Sequence, residues 1–202
     1  MKSFLICPAD RPGVAQLADA VPLAVAPLLG KSVLEYWLET LAARGVKHVA
    51  VLASDRPQAV RNLVGDGARW GLQVEIIPQS RELSVGEARV KYAADASDVI
   101  LLNTLPGLPA HPLFESYEGW FAALKAYLPR AASDTRIGMH EVQPGIWIGL
   151  HAQIDPTAHL QAPCWIGEHA LVSAGAHLGP DAILEDRVVI EATKDKKTLT
   201  AT

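Results

Sequence analysis

Cysteine is scarce in this chain of 202 residues, which holds only Cys7 and Cys164. Two cysteines so far apart argue against a disulfide framework and a cysteine-built metal cluster, and they read as buried, reduced thiols. Long apolar runs are also missing. The N-terminal "MKSFLICPAD" is too short for a secretory leader, and "VPLAVAPLLG" is interrupted by Pro22 and Pro27; neither approaches the ~20 apolar residues of a membrane-spanning helix. Basic stretches are absent apart from "KDKK", and the formal net charge is −4. That argues against nucleic acid or an anionic membrane as the partner. A cytoplasmic protein is the expectation. Glycine, finally, is thin where an α/β protein would use it: the first loop, "CPADRPGVAQ", has Gly13 alone.

What is present is a hydrophobic half, sufficient for a packed core. Residues 3–7 predict a strand. Ser32 with Glu35 makes a capping box for a helix whose Leu34, Trp37, Leu38 and Leu41 share a face and which Gly45 ends. "KHVAVLA" (47–53) is a strand covered on both faces. Asp55 reads as the cap of a short helix ending at Gly65, and "LQVEII" (72–77) as a third strand. Ser84 and Glu87 form a second capping box, before a helix to about Ala94; "DVILLN" (98–103) is a fourth strand. This alternation predicts a Rossmann-like parallel sheet with helices on it, spanning 1–129. Pro106, Pro109 and Pro112 mark an irregular crossing. Tyr117, Trp120, Phe121, Leu124 and Leu128 then form an aromatic stripe read as a docking face, and residues 130–140 read as a polar linker.

From Ile148 a different period takes over. Ile148, Ile154, Leu160, Ile166, Val172, Leu178, Leu184 and Ile190 fall at every sixth position. Small residues stand two places earlier: Ala152, Ala158, Cys164, Ala170, Ala176 and Ala182, then Val188. Neither helix nor strand has period six. Hexads of this kind are the signature of a left-handed parallel β-helix, three hexads to a triangular coil, giving about two and a half coils over 141–192. Glycine or a small polar residue after each aliphatic is expected to serve the turn. A solenoid so short needs its ends covered, by self-association or by the tail, residues 193–202, which otherwise reads as flexible.

A Rossmann-like domain followed by hexads resembles the sugar-phosphate nucleotidyltransferases, the mannose-1-phosphate guanylyltransferase and glucose-1-phosphate nucleotidyltransferase group. "VPLAVAPLLGKSVLEYWLETLAARGVKHVAVLAS", "VGDGARWGLQVEII", "LSVGEA" and "APCWIGEHALVSAGAHLGPDAIL" carry the resemblance, which covers most of residues 3–192. It implies nucleotide binding at the first loop, with Ala9, Asp10, Arg11 and Gly13 as candidates, and at Gly86 in the turn that reads the base. A nucleotide or nucleotide sugar is then the implied ligand, and a homo-oligomer or family-related subunit the implied partner. Mg²⁺ and a nucleoside triphosphate follow only if the family's activity is retained.

Three departures bear on that activity. The family has a lysine after the first proline of the proline-rich segment, where this chain has Leu23 after Pro22. The family has an Mg²⁺-binding aspartate after the fourth strand, where this chain has Asn103 and Thr104; amide and hydroxyl are poor substitutes for a carboxylate on a hard cation. The sugar-binding lobe has no counterpart in the residues between Thr104 and about His140. No catalytic or metal-binding residue is therefore assigned. The expected function is a degenerate nucleotidyltransferase-like binding or assembly subunit of nucleotide-sugar or exopolysaccharide metabolism. Two alternatives stay open: a divergent active nucleotidyltransferase, and a hexapeptide acyltransferase with His151, His159, His169 or His177 as base. These histidines could also share a metal across an oligomer interface; surface positions are the simpler reading.

Overall fold

The computed structural model describes residues 2–92, 98–133, 138–191 and 200–201. The chain divides into two compact units, one of residues 1–27 and 31–123, the other of residues 28–30 and 124–202.

In the first unit, β1 (Lys2–Ile6) pairs in parallel with β4 (His48–Ala53), and β4 with β5 (Gln73–Pro78); β6 (Val99–Leu101) joins β1 on its other side. In the order β5-β4-β1-β6, the chain steps from β1 through β4 to β5 and then reverses past β1 to β6. β1 and β4 are almost wholly buried, as continuous apolar runs should be in a sheet covered on both faces. Phe4, Ile6, Ala50, Leu52 and Val99 form a core on one face with Leu83, Ala88 and Tyr92 from the segment leading into and along α4 (Val85–Tyr92).

The short strands β2 (Pro27–Leu28) and β3 (Lys31–Ser32) precede α2 (Val33–Ala43). The box at its start is present: Glu35 N–H donates to Ser32 Oγ at 3.2 Å, while Ser32 N–H donates to the Glu35 carboxylate at 2.8 Å. The second box, Ser84 with Glu87, has the same geometry (3.2 and 2.9 Å). The helix expected to run to about Ala94 is described as far as Tyr92, and residues 93–97 lie outside the described residues.

Four local expectations are corrected. α3 (Pro57–Val64) is not capped by Asp55: its N-cap is Arg56, in left-handed backbone at φ 39°, and the Asp55 carboxylate instead takes the Arg56 guanidinium. An unexpected short helix, α1 (Ala15–Ala20), follows the first loop. α5 (Tyr117–Ser133) extends into the expected linker and buries Trp120, Ala123, Leu124, Tyr127, Leu128 and Ala131. That face is centred on the Ala123–Tyr127 line, so Tyr117 and Phe121, at the margin of the stripe, stay 43% and 44% exposed. Finally, β7 (Met139–Gln143) forms a strand where the linker was expected to end.

In the second unit, β7 pairs antiparallel with β8 (Ile146–Gly149). The strands from β8 to β15 pair in parallel with partners eighteen residues on. β8, β11 (Cys164–Ile166) and β14 (Ala182–Leu184) stack Ile148, Ile166 and Leu184. β9 (Gln153–Ile154), β12 (Leu171–Val172) and β15 (Val189–Glu191) stack Ile154, Val172 and Ile190; β10 (His159–Leu160) and β13 (His177–Leu178) stack Leu160 and Leu178. All eight period-six aliphatics and all seven small positions belong to one apolar cluster, joined by Ile146. Its middle is driest, because levels above and below remove water from Ile166 and Val172.

Glycine after the aliphatic has a different cause from the one expected. Gly149 and Gly167 have no left-handed backbone; a Cβ on Gly149 would stand 2.5 Å from Glu168 N, and one on Gly167 would stand 2.6 Å from Asp186 N. Each is glycine because the next level passes over it. Glu185, eighteen residues beyond Gly167, carries a full side chain, whose carboxylate accepts from the N–H groups of Leu29 and Gly30 at 2.5 and 2.8 Å. Most of the tail lies outside the described residues, but β16 (Thr200–Ala201) pairs antiparallel with β15.

Both thiols are buried, as expected. Burial pushes Cys7 up to about 12, with the Asp55 and Glu82 charges adding to it, and burial pushes Cys164 up to about 11. The thiolate is the reactive form, so an aromatic disulfide reagent at pH 8 should titrate neither cysteine until denaturant is added. Rapid labelling of the native chain would contradict this.

Candidate functional site

In open parallel sheets, ligands gather at the carboxyl ends of the strands, where the strand order reverses. Here that place lies between β1 and β6, and it is framed by the loop after β1 (Cys7–Arg11), Ser54–Arg56 after β4, the segment leading from β5 to α4, and Asn103 after β6. A shallow hollow lined by Lys2, His48 and Glu75 among others lies at the opposite, amino ends.

The loop after β1 is organised by a residue that sequence reasoning missed. Glu82, between β5 and α4, spreads its carboxylate over the loop: Oε2 accepts from Ala9 N–H and Oε1 from Arg11 Nη2, both at 2.7 Å. Arg11 Nη1 donates to the carbonyls of Ala9 (3.1 Å) and Asp10 (3.2 Å), so the guanidinium is pinned to its own loop. Burial of Glu82 works against its charge, but the hydrogen bonds from Arg11 and Ala9 prevail and hold the carboxyl below the usual carboxylate range. The resemblance implies Arg11 as a nucleotide-binding candidate. Its ion partner is a carboxylate 71 residues away. No local sequence pattern marks it: Glu82 stands four residues past the end of β5, in "QSREL".

The other candidates are dispersed. Asp10 is exposed. Gly13 is glycine because Glu115 passes over it: a Cβ there would lie 1.9 Å from the Glu115 carbonyl oxygen. Gly86 is exposed in the first turn of α4, with its nearest neighbour Ser84 Oγ at 4.0 Å. Its neighbour Glu87 is held by the capping box and by Arg81, whose hydrogen bond pushes the carboxyl down to about 2.

Beside the loop, Arg56 donates to the Asp19 and Ala18 carbonyls as well as to Asp55. The Asp55 hydrogen bond raises its pKa further. On the other side, Asn103 O accepts from Leu113 N–H at 2.8 Å and Thr104 O from Trp37 Nε1 at 2.8 Å. The chain after β6 is thereby committed to the body of the unit. Leu23, in a 3-10 turn at Leu23–Val25, is 1% exposed.

These donors do not fit the Mg²⁺ that the sequence resemblance implies. The residues at the carboxyl end of β6 are an amide and a hydroxyl rather than a carboxylate. Among the described residues, no three His, Cys, Asp or Glu side chains are grouped to hold a metal ion. In the second unit, His151 and His169 stack at 4.9 Å between ring centroids, and His159 and His177 at 4.6 Å, all four exposed. No helix among the described residues is long and apolar enough to cross a membrane.

Segments of the chain are similar to known proteins. No family model matches the chain. A segment is 41% identical over 59 residues to glucose-1-phosphate thymidylyltransferase of Streptomyces griseus, covering 29% of this chain and 17% of that protein. A longer segment is 28% identical over 118 residues to the thymidylyltransferase of an Actinoplanes species, covering 55% and 39%. The similarity to the low-salt glycan biosynthesis nucleotidyltransferase Agl11 of Haloferax volcanii is 27% over 89 residues, covering 44% and 25%. These partial relatives are nucleotidyltransferases. The matched segments span 17% to 39% of the relatives' own lengths.

Proposed function

We propose that this chain is a nucleotidyltransferase-like protein of nucleotide-sugar or exopolysaccharide metabolism that has lost catalysis and acts as a binding or assembly subunit. Its architecture in this reading is a Rossmann-like domain over 1–129, a left-handed parallel β-helix over 141–192 and a flexible tail over 193–202, in a cytoplasmic homo-oligomer. The eighteen-residue strand registers support the β-helix, and the partial relatives support the pathway.

The observation that carries the loss of catalysis is the burial of Leu23. The resemblance requires a lysine at this position to neutralise phosphate charge, and here the position belongs to the core. Nucleotidyl transfer depends on positioning and on neutralising a polyanion. Asn103 in place of a metal-binding carboxylate points the same way.

The test is an incubation of the full chain with a sugar 1-phosphate, each nucleoside triphosphate and Mg²⁺, read as pyrophosphate release. No release above background is expected, together with saturable binding of a nucleotide sugar. Turnover would establish the divergent enzyme instead. Saturation by acetyl-CoA with no nucleotide binding would favour the acyltransferase.

A further inference from the structure

We propose that Glu82 is a built-in occupant of an anion site in the β1 loop, so that a phosphoryl group enters only when this carboxylate leaves. The inference deepens the proposed function, resting on the reading of this loop as a nucleotide-binding loop, and it adds what regulates the site.

The donors are those an anion needs: a backbone N–H from Ala9 and a guanidinium from Arg11, converging within 2.7 Å of the two oxygens of one carboxylate. A phosphoryl group would use the same donors through two of its oxygens. Arg11 is positioned by its bonds to the Ala9 and Asp10 carbonyls as well as by Glu82, so part of the site persists when the carboxylate is gone. The carboxylate arrives from a separate loop, 71 to 73 residues along the chain, and its side chain keeps 20% exposure, which leaves it room to turn outward. Being tethered, it competes at an effective concentration on the order of millimolar, enough to exclude a weakly held free anion.

The experiment titrates inorganic pyrophosphate into the full-length wild type, Glu82→Ala, Glu82→Gln and the double variant Glu82→Ala/Arg11→Ala, with circular dichroism confirming the fold of each. Glu82→Ala is expected to bind pyrophosphate at least tenfold more tightly than wild type, and the double variant should lose that gain. Equal affinity in wild type and Glu82→Ala, or a gain that survives removal of Arg11, overturns the proposal. If Glu82→Ala does not fold, Glu82→Gln against Glu82→Gln/Arg11→Ala decides by the same comparison, with at least a threefold gain expected. A nucleotide sugar added in parallel separates the two readings. If every variant ignores it while the pyrophosphate gain stands, the nucleotide reading fails and the occupant remains. If the wild type binds nucleotide with affinity dependent on Arg11 and indifferent to Glu82, the occupant fails and the nucleotide reading remains.

Discussion

Gly167→Ala should destabilise the second unit by ~3 kcal/mol, in the range of overpacking a closely packed site. The added methyl would lie 2.6 Å from Asp186 N, Asp186 Oδ1 and the carbonyl carbon of Glu185, so β14 would have to lift from β11. Lifting it stretches the hydrogen bonds from Gly167 N–H to Leu184 O and from Glu168 N–H to Asp186 Oδ1, both 2.8 Å. The period-six core would part along the same line. Gly149→Ala should behave alike, because its Cβ would stand 2.5 Å from Glu168 N. Gly179 supplies the control, since it also follows a period-six aliphatic, yet no described residue lies within 4 Å of its Cβ position and its backbone is not left-handed. Gly179→Ala should be neutral or stabilising by ~0.4–1 kcal/mol, because alanine restricts the unfolded chain. Thermal unfolding followed by circular dichroism distinguishes these outcomes. Equal losses at Gly167 and Gly179 would show that the turn, and not the passing level, requires glycine.

Leu23→Lys, the substitution that would put back the lysine implied by the resemblance, should unfold the first unit instead of activating it. Leu23 is buried with Ala24, Ala26, Leu34 and Leu38 among the core residues of that unit. A lysine kept neutral there at pH 7 must give up a proton it normally holds to ~10.4, at 1.36 kcal/mol per unit, or about 4–5 kcal/mol. A total stability of ~5–15 kcal/mol leaves little after such a loss. Leu23→Met, which conserves volume and polarity, should cost less than ~1.5 kcal/mol. Urea unfolding of the two variants beside the wild type measures the difference. A lysine variant as stable as the methionine one, with new affinity for a nucleoside triphosphate, would put position 23 back at a phosphate site and remove the main support for lost catalysis.

How far the fold was legible depended on the distance between the residues that decide it. Ser32 with Glu35 and Ser84 with Glu87 are partners three residues apart, and both capping boxes were readable from spacing alone. The Asp55 cap failed because Arg56, held in a left-handed conformation by Asp55 and by the Ala18 and Asp19 carbonyls, is set by groups 37 and 38 residues away. The α5 stripe was located correctly along the chain and misjudged by part of a turn. Tyr117 and Phe121 share helical spacing with Leu124 and Leu128, but the buried face is chosen by what packs against it.

The sequence by itself determined the parallel α/β alternation and the period-six core, because each rests on a pattern that repeats along the chain and asks only that like residues face inward. Along the parallel strands of the second unit the decisive neighbour is eighteen residues on, so periodicity is already a contact map. Tertiary structure alone decided the condition of the first loop. Its one glycine answers to Glu115, and its arginine and Ala9 N–H answer to Glu82, more than seventy residues away. A single carboxylate between a strand and a helix has no period and no local partner, so no pattern announces it. It takes effect because the sheet brings the ends of β5 and β1 to the same edge, where two donors that could hold a phosphate are satisfied by a charge the chain already carries.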